Sequence, residues 1–361
     1  MPAAPRPASR LVAPLTRLEH VRRRVGGAFR RLEEKPLVVV FAAAGATVAT
    51  AVVLGFYAGW PKVGHLVYTR HSWLWLLACL VGELVAYVGY ALTLRDMARV
   101  DDGDEMSLEH SAKAVVAGFG VFAATRGSGG FAVDYWAFRR TGASKRAAAN
   151  RVLGLGFLEY VVLSLIALTA SVFLFFGFDG HAGLSTTLPG LVIVPALVLA
   201  AWATSAKRVE RLRKPRGGRF RRLFANAVAG AHYVRQLILN PREHGLGVIG
   251  NVLYWAGDIG CLWAALALVG SSLTLAKIIL AYAAGYVLTR RALPAGGAGF
   301  VELALTLALV GMGVGFVKAL VAVVIYRLFN FWLPIIPALL LMPAIRDMRE
   351  RFRAAPEPGA D

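Results

Sequence analysis

Apolar residues gather in six long runs near 37–60, 72–94, 152–177, 188–206, 245–269 and 319–342. Each offers about 20 residues, enough for a helix to cross roughly 30 Å of hydrocarbon. The pattern predicts an all-α polytopic membrane protein with about six full spans. Two further apolar regions are broken by polar sequence. Ser111 to Phe138 is interrupted at Arg126-Gly127-Ser128-Gly129-Gly130. Leu275 to Val317 is interrupted at Thr289-Arg290-Arg291-Ala292-Leu293-Pro294-Ala295-Gly296-Gly297-Ala298-Gly299-Phe300-Val301-Glu302. Limbs of about 12–15 residues in the first region are too short to span and suit a re-entrant hairpin. Those of the second read as longer, so a pair of tilted, nearly spanning helices is open beside a re-entrant one.

Charge placement orients these elements. The chain of 361 residues is 57% hydrophobic and carries a formal net charge of +19. Nine Lys or Arg lie in 1–36 and nine in 207–222, while 178–187 and 270–273 have none and 61–71 has only Lys62 and Arg70. Basic loops stay on the cytoplasmic side, so both termini and the 207–222 loop are expected there, against anionic lipid head groups. That sidedness argues against nucleic acid as the partner of the positive charge. The N-terminal basic region is too long for a cleavable signal and no small-residue cleavage site follows it. Residues 1–36 read as a basic cytoplasmic arm, 37–345 as the transmembrane domain and 346–361 as a cytoplasmic tail. Arginine outnumbers lysine 32 to 8, which with the abundant Ala and Gly suggests a bacterial source and its cytoplasmic membrane.

Following the orientation along the chain predicts two span–hairpin–span units, about 72–177 and 245–342, of opposite direction. The basic loop 207–244 links them, with an amphipathic or packing helix over 219–244. Short echoes accompany the pattern: Gly129-Gly130-Phe131-Ala132-Val133-Asp134 is similar to Gly297-Ala298-Gly299-Phe300-Val301-Glu302, and each follows a Thr-Arg pair. Glu83 and Asp258 fall at comparable depths in the two equivalent spans. Inverted repeats with paired broken helices mark transporters with a site near the midplane.

Irregular backbone at membrane depth is tolerated only when buried in protein or lining a wet cavity. Pro294 ends one helix, and a helix starting near Phe300 would aim free N–H groups at the break. Glu302 in its first turn suits the helix dipole. Arg290 and Arg291 are candidate phosphate partners, since a guanidinium fork matches phosphate oxygens and stays charged in a poor solvent. Arg126, Gly129, Gly130 and Asp134 form the corresponding set at the first break. Glu83, Glu159, Asp258 and Arg327 lie within apolar spans and are expected to face the bundle interior and pair; Glu159 with Arg327 is one such pairing.

Other residues narrow the chemistry. The histidines are scattered, and no His-x-x-x-His or His/Cys cluster supplies metal-ligand spacing. No cofactor is expected, and no Gly-x-x-x-x-Gly-Lys-Ser/Thr is present for direct ATP drive. Cys79 and Cys261 each lie inside a span and imply no disulfide framework. Trp60, Trp73, Trp75, Trp255 and Trp332 fit interfacial aromatic belts. Asp101-Asp102-Gly103-Asp104-Glu105 reads as a solvated loop.

The chain resembles the transmembrane, flippase-like domain family of lysylphosphatidylglycerol synthases, including its stand-alone members. Pro294-Ala295-Gly296-Gly297-Ala298-Gly299-Phe300-Val301-Glu302 is similar to the family's Pro-Gly-Gly-x-Gly-x-x-Glu element, with one extra residue after the proline. Tyr326-Arg327-Leu328-Phe329-Asn330-Phe331-Trp332-Leu333-Pro334 resembles its terminal Tyr-Arg…aromatic-Trp-x-Pro segment. Thr125 through Ala149 matches more loosely. Gly156 stands where an arginine is often found three residues before the acid at Glu159, and Phe131 where an acid commonly follows the first glycine pair. The resemblance implies movement of a modified phospholipid between leaflets. Aminoacyl transfer would need an additional soluble catalytic domain, and with nineteen residues after Met342 that activity is not expected.

The leading expectation is therefore a lipid translocase rather than an enzyme, handling an anionic or aminoacylated phospholipid. Its expected substrate-binding set is Arg126, Gly129, Gly130, Asp134, Glu159, Asp258, Arg290, Arg291, Gly296, Gly297, Glu302 and Arg327. A membrane transferase acting on a polyprenyl or glycosylated lipid is the enzyme alternative. A non-transporting partner subunit, recruiting a cytoplasmic protein through the 207–222 loop, is the third. Oligomeric state is left open, a homodimer included.

Overall fold

The computed structural model describes residues 72–100, 103–124, 129–178, 240–290 and 298–340, with a few isolated positions elsewhere. At 120–124, 129–130, 286–290 and 339–340 it describes the backbone alone. All regular elements among these residues are helical. In chain order they are α1 (Ser72–Arg99), α2 (Leu108–Ala124), α3 (Gly129–Arg140), α4 (Lys145–Phe175), α5 (Pro241–Leu268), α6 (Leu275–Arg290), α7 (Phe300–Gly311), α8 (Phe316–Arg327), a π-helical turn (Leu328–Trp332) and α9 (Ile335–Leu340).

Four stretches are long and apolar enough to cross a membrane: Ser72–Arg99, Lys145–Phe175, Pro241–Leu268 and Phe316–Ala338. They match four of the six expected runs; 37–60 and 188–206 lie almost wholly outside the described residues. The helix order is long, short, short, long, and then the same again. The short helices have 17 and 12 residues in the first set and 16 and 12 in the second. A 12-residue helix reaches about 18 Å, well short of the hydrocarbon thickness. The second pair is thus no longer than the first, contrary to the hydropathy reading. Its apolar run hides a turn: Gly313, at φ 98°, closes α7 and lets α8 begin at Phe316.

α1 and α5 form the spine of the bundle and pack on each other more extensively than any other pair. Their seam is built from glycines. A Cβ on Gly89 would sit 2.4 Å from the Gly250 carbonyl oxygen, and one on Gly257 would sit 2.4 Å from that of Gly82. Numbers rise along one helix as they fall along the other at these contacts, so the pair is antiparallel. Small residues let two backbones touch where lipid offers no hydrophobic drive for helix association. Thr93 Oγ1 adds hydrogen bonds to the Gly89 carbonyl at 2.9 Å and the Gly247 carbonyl at 3.1 Å.

Three further contacts set directions. Arg151, near the start of α4, donates to the Val100 carbonyl at the end of α1 at 2.8 Å. Trp255 Nε1 on α5 donates to the Glu159 carbonyl on α4 at 2.9 Å. α4 therefore runs parallel to α5. Lys318, at the start of α8, donates to the Gly270 carbonyl just past α5 at 2.9 Å, so α8 runs back along α5. α7 leans on α6 at Gly285, where a Cβ would lie 2.7 Å from Leu305 Cα. Outside the spans, Lys113 one turn after Glu109 holds that carboxyl below its ordinary value.

Candidate functional site

The second break ends in a built helix start. Gly299 adopts φ 85°, a left-handed conformation that glycine takes without penalty, and α7 begins at Phe300 as the sequence predicts. Glu302 Oε2 reaches back to accept the Gly299 N–H at 2.6 Å. This is one arm of a capping box, the glycine having no side chain to return the other. Glu302 Oε1 takes a hydrogen bond from Arg327 Nε at 2.9 Å, and both side chains are buried. The pairing follows from position, because the end of the antiparallel α8 meets the start of α7. The Arg327 guanidinium also lies over the Phe331 ring, with Cζ 4.2 Å from its centroid.

One residue before Arg327 and three after it, α8 and the π turn feed a second carboxylate. Asp258 is fully enclosed at 0% exposure. Its Oδ1 accepts from the Tyr326 hydroxyl at 2.7 Å and from Asn330 Nδ2 at 2.8 Å. Its Oδ2 accepts from the Tyr282 hydroxyl of α6 at 2.6 Å. Three donors from two helical segments thus converge on one α5 carboxylate. The π turn widens the backbone where Asn330 must reach the oxygen that Tyr326 already holds, and such turns recur at functional sites. A carboxyl group with this many donors is held rigidly in place.

The first break supplies a parallel but separate arrangement. α3 begins at Gly129, and Asp134, in its second turn, is buried and accepts the Tyr90 hydroxyl of α1 at 3.0 Å. A continuous line of rings joins the two acids. Tyr90 meets Tyr254 at 5.4 Å, Tyr254 meets Trp255 at 4.7 Å, Trp255 meets Tyr282 at 6.0 Å and Tyr282 meets Tyr326 at 6.4 Å. Trp255, expected in an interfacial belt, is instead 3% exposed in the middle of this line. Its indole N–H is used on Glu159, an internal hydrogen bond that an interface would have left to water.

Of the expected binding residues, Asp258, Glu302 and Arg327 come together. Asp134 and Glu159 are buried and joined to that centre through Tyr90 and Trp255. Glu83 is buried next to the Gly82 contact of the α1–α5 seam. Gly129 and Gly130 open α3. Arg290 ends α6, with only its backbone described. Arg126, Arg291, Gly296 and Gly297 fall outside the described residues. Tyr90, Tyr282, Tyr326, Asn330 and Phe331 were not singled out as binding residues, although Tyr-Arg-x-x-Asn-Phe inside an apolar run was a readable signal. No group of three or more His, Cys, Asp or Glu able to hold a metal occurs among the described residues.

This geometry, set at a helix break inside an apolar bundle, accompanies a match over most of the chain. The family model of the lysylphosphatidylglycerol synthase TM region covers residues 38–338. The chain belongs to this family. Two sequence elements within the matched range, around Gly299 to Glu302 and Tyr326 to Pro334, meet at the Glu302–Arg327 pair. Membership makes it a multi-pass membrane protein with a membrane-lipid-related role. No curated protein matches the chain.

Proposed function

We propose that this protein is a lipid translocase of the bacterial cytoplasmic membrane, moving an anionic or aminoacylated phospholipid between leaflets without enzymatic chemistry of its own. The observation that carries the reading is the enclosed Asp258–Glu302–Arg327 centre at the break between two helices too short to span. Charge is costly at membrane depth and is retained there mainly for substrate or ion handling. Arg327, paired on one edge with Glu302, is the candidate partner of a lipid phosphate, joined by Arg290, Arg291 and Arg126 from the two breaks. Asp258 and Asp134 are candidate partners for a cationic substituent on the head group.

We read the two long–short–short–long sets as units of opposite orientation about the α1–α5 seam, with both termini cytoplasmic. The antiparallel crossing at Gly82 and Gly257 supports that reading, as does the similar make-up of the two sets. In such designs one unit rocks against the other around a site near the midplane. The test is reconstitution into vesicles carrying fluorescent phosphatidylglycerol or lysyl-phosphatidylglycerol in both leaflets, followed by chemical quenching of the outer one. Wild-type protein should expose the inner pool, and Arg327→Gln should not. Equal protection of the inner pool in protein-free and wild-type vesicles, for every lipid tried, would remove the proposal.

A further inference from the structure

The Arg99 end of the α1–α5 seam carries an acid and an imidazole that the charged centre does not use. Asp96 on α1 is 2% exposed, and its Oδ2 accepts the Gly247 N–H of α5 at 2.6 Å. Gly247 permits that approach, since a Cβ there would lie 2.8 Å from the same oxygen. α5 is kinked one turn earlier at His244, whose φ −126° and ψ 17° are non-helical. Asp96 therefore fills, from a neighbouring helix, the place of an N-cap side chain on the restarted α5.

The other oxygen is the informative one. Asp96 Oδ1 and His244 Nδ1 are buried atoms without a hydrogen-bond partner among the described residues, and they face each other at 3.8 Å. That gap is too long for a hydrogen bond. The His244 side chain is 12% exposed, so protons from water reach it. Arg99, one turn along α1, is the other charge acting on Asp96. Of the remaining described charges at this end, Arg95 pairs with Glu105 and Arg151 of α4 is turned to the Val100 carbonyl. Arg242 and Glu243 of α5 are exposed.

Packing does not require this pair. Gly82 meets Gly257 as Gly89 meets Gly250, so exchanging α1 with α5 sets Gly82 in the place of Gly250 and Gly89 in that of Gly257. The same exchange sets Leu76 in the place of His244 and Ala264 in that of Asp96. The opposite end of the seam thus has two apolar residues of the common core at these positions, beside the Trp75–Trp263 edge contact. An acid and an imidazole at the Arg99 end serve something other than adhesion.

We propose that Asp96 and His244 form a proton-binding site that clasps α1 to the start of α5, and so one unit to the other. A proton from water adds to the imidazole, and no bond in the protein breaks. Protonated imidazole carries an N–H on both nitrogens, so Nδ1 donates to Oδ1 and the gap closes to a charge-assisted hydrogen bond. As pH rises through the imidazole range, about pH 5 to 8, the proton leaves and the clasp relaxes at the kink. A proton needs no cavity, which suits an enclosed pair. On the proposed orientation this end faces the cytoplasm, and the site is independent of what the charged centre binds.

The test is hydrogen–deuterium exchange of the full-length protein in lipid nanodiscs at about pH 5.5 and about pH 8, on either side of imidazole titration. Each rate is corrected for intrinsic exchange at that pH. Wild-type amides from Gly245 to Ile249 should exchange at least about threefold more slowly at the lower pH, within the worth of one hydrogen bond to a charged group. His244→Gln keeps a polar side chain of similar size and cannot take the proton, so it should stay at the high-pH level throughout. His244→Lys is charged at both pH values and should stay at the low-pH level. Asp96→Asn can still accept the Gly247 N–H and should lose the response; where it fails to fold, the two His244 variants carry the test. Exchange indifferent to pH in wild type, a response retained in His244→Gln, or His244→Lys behaving like His244→Gln would each overturn the site. Absence of lipid movement in vesicles with the response intact would remove the translocase reading and leave the clasp standing.

Discussion

Glu302 divides its carboxylate between two roles, one oxygen holding Arg327 at 2.9 Å and the other capping α7 through the Gly299 N–H at 2.6 Å. The site and the helix that frames it are therefore stabilised by one side chain. Disturbing the pair changes both the charge of the centre and the seating of the break.

Removing one partner strands a buried charge, which typically costs about 3–5 kcal/mol. Arg327→Gln and Glu302→Gln should each lower the melting temperature of the purified protein markedly. The double substitution should recover part of that loss, because no charge is then left alone. Glu302→Gln is expected to be milder than Glu302→Leu, since its amide oxygen can still accept the Gly299 N–H. A double variant no more stable than the weaker single one would show that the pair is not coupled.

Asp258→Asn replaces an acceptor of three hydrogen bonds by a group with a single acceptor oxygen, and sets its NH2 against a donor. Lipid movement is expected to fall at least about tenfold, a difference of roughly 1.4 kcal/mol, well within the worth of hydrogen bonds to a charged group. Tyr282→Phe removes only one donor and should fall between wild type and Asp258→Asn in the vesicle assay. Unchanged flux in Asp258→Asn would exclude that carboxylate from the transport site.

The α1–α5 seam makes a steric prediction. Gly89→Ala and Gly250→Ala each bring a methyl group into a backbone carbonyl, at 2.4 and 2.6 Å. Overpacking of this kind costs about 1–3 kcal/mol. Gly260→Ala on the same helix meets nothing within 4 Å and should melt like wild type. A loss of stability in Gly260→Ala equal to that of Gly89→Ala would show that the seam contact is not the cause, since helix propensity alone favours alanine.

Cys79 and Cys261 are both fully buried, with the Cys79 thiol 3.5 Å from the Cys261 carbonyl across the same seam. Maleimide labelling of native membranes should leave both unmodified, and labelling in denaturant should modify both. Modification of the folded protein during lipid movement would mean that the seam itself opens.

The start of α7 was legible because a proline, glycines and an acid each act on their own few residues of backbone. The end of α7 was not. Gly311-Met312-Gly313 sits in uninterrupted apolar sequence, so hydropathy carries no sign of the turn that shortens the second hairpin. Trp255 shows the same limit in the opposite sense. A tryptophan in an apolar helix suggests an interface, yet the indole is buried here because α4 presents a carbonyl at that level. The tyrosines around Asp258 come from helices more than 20 residues apart, and nothing local ties them to one another.

Read alone, the chain determined its solvent and the places where its helices break. Those properties follow from the length of apolar segments and the backbone preferences of proline and glycine, which are local to each segment. Only the tertiary structure decided partnership. That Arg327 meets Glu302, and which donors reach Asp258, depends on which helices run parallel and where their glycines let them touch. That register is a relation between helices distant in sequence, and it took the packed bundle to set it.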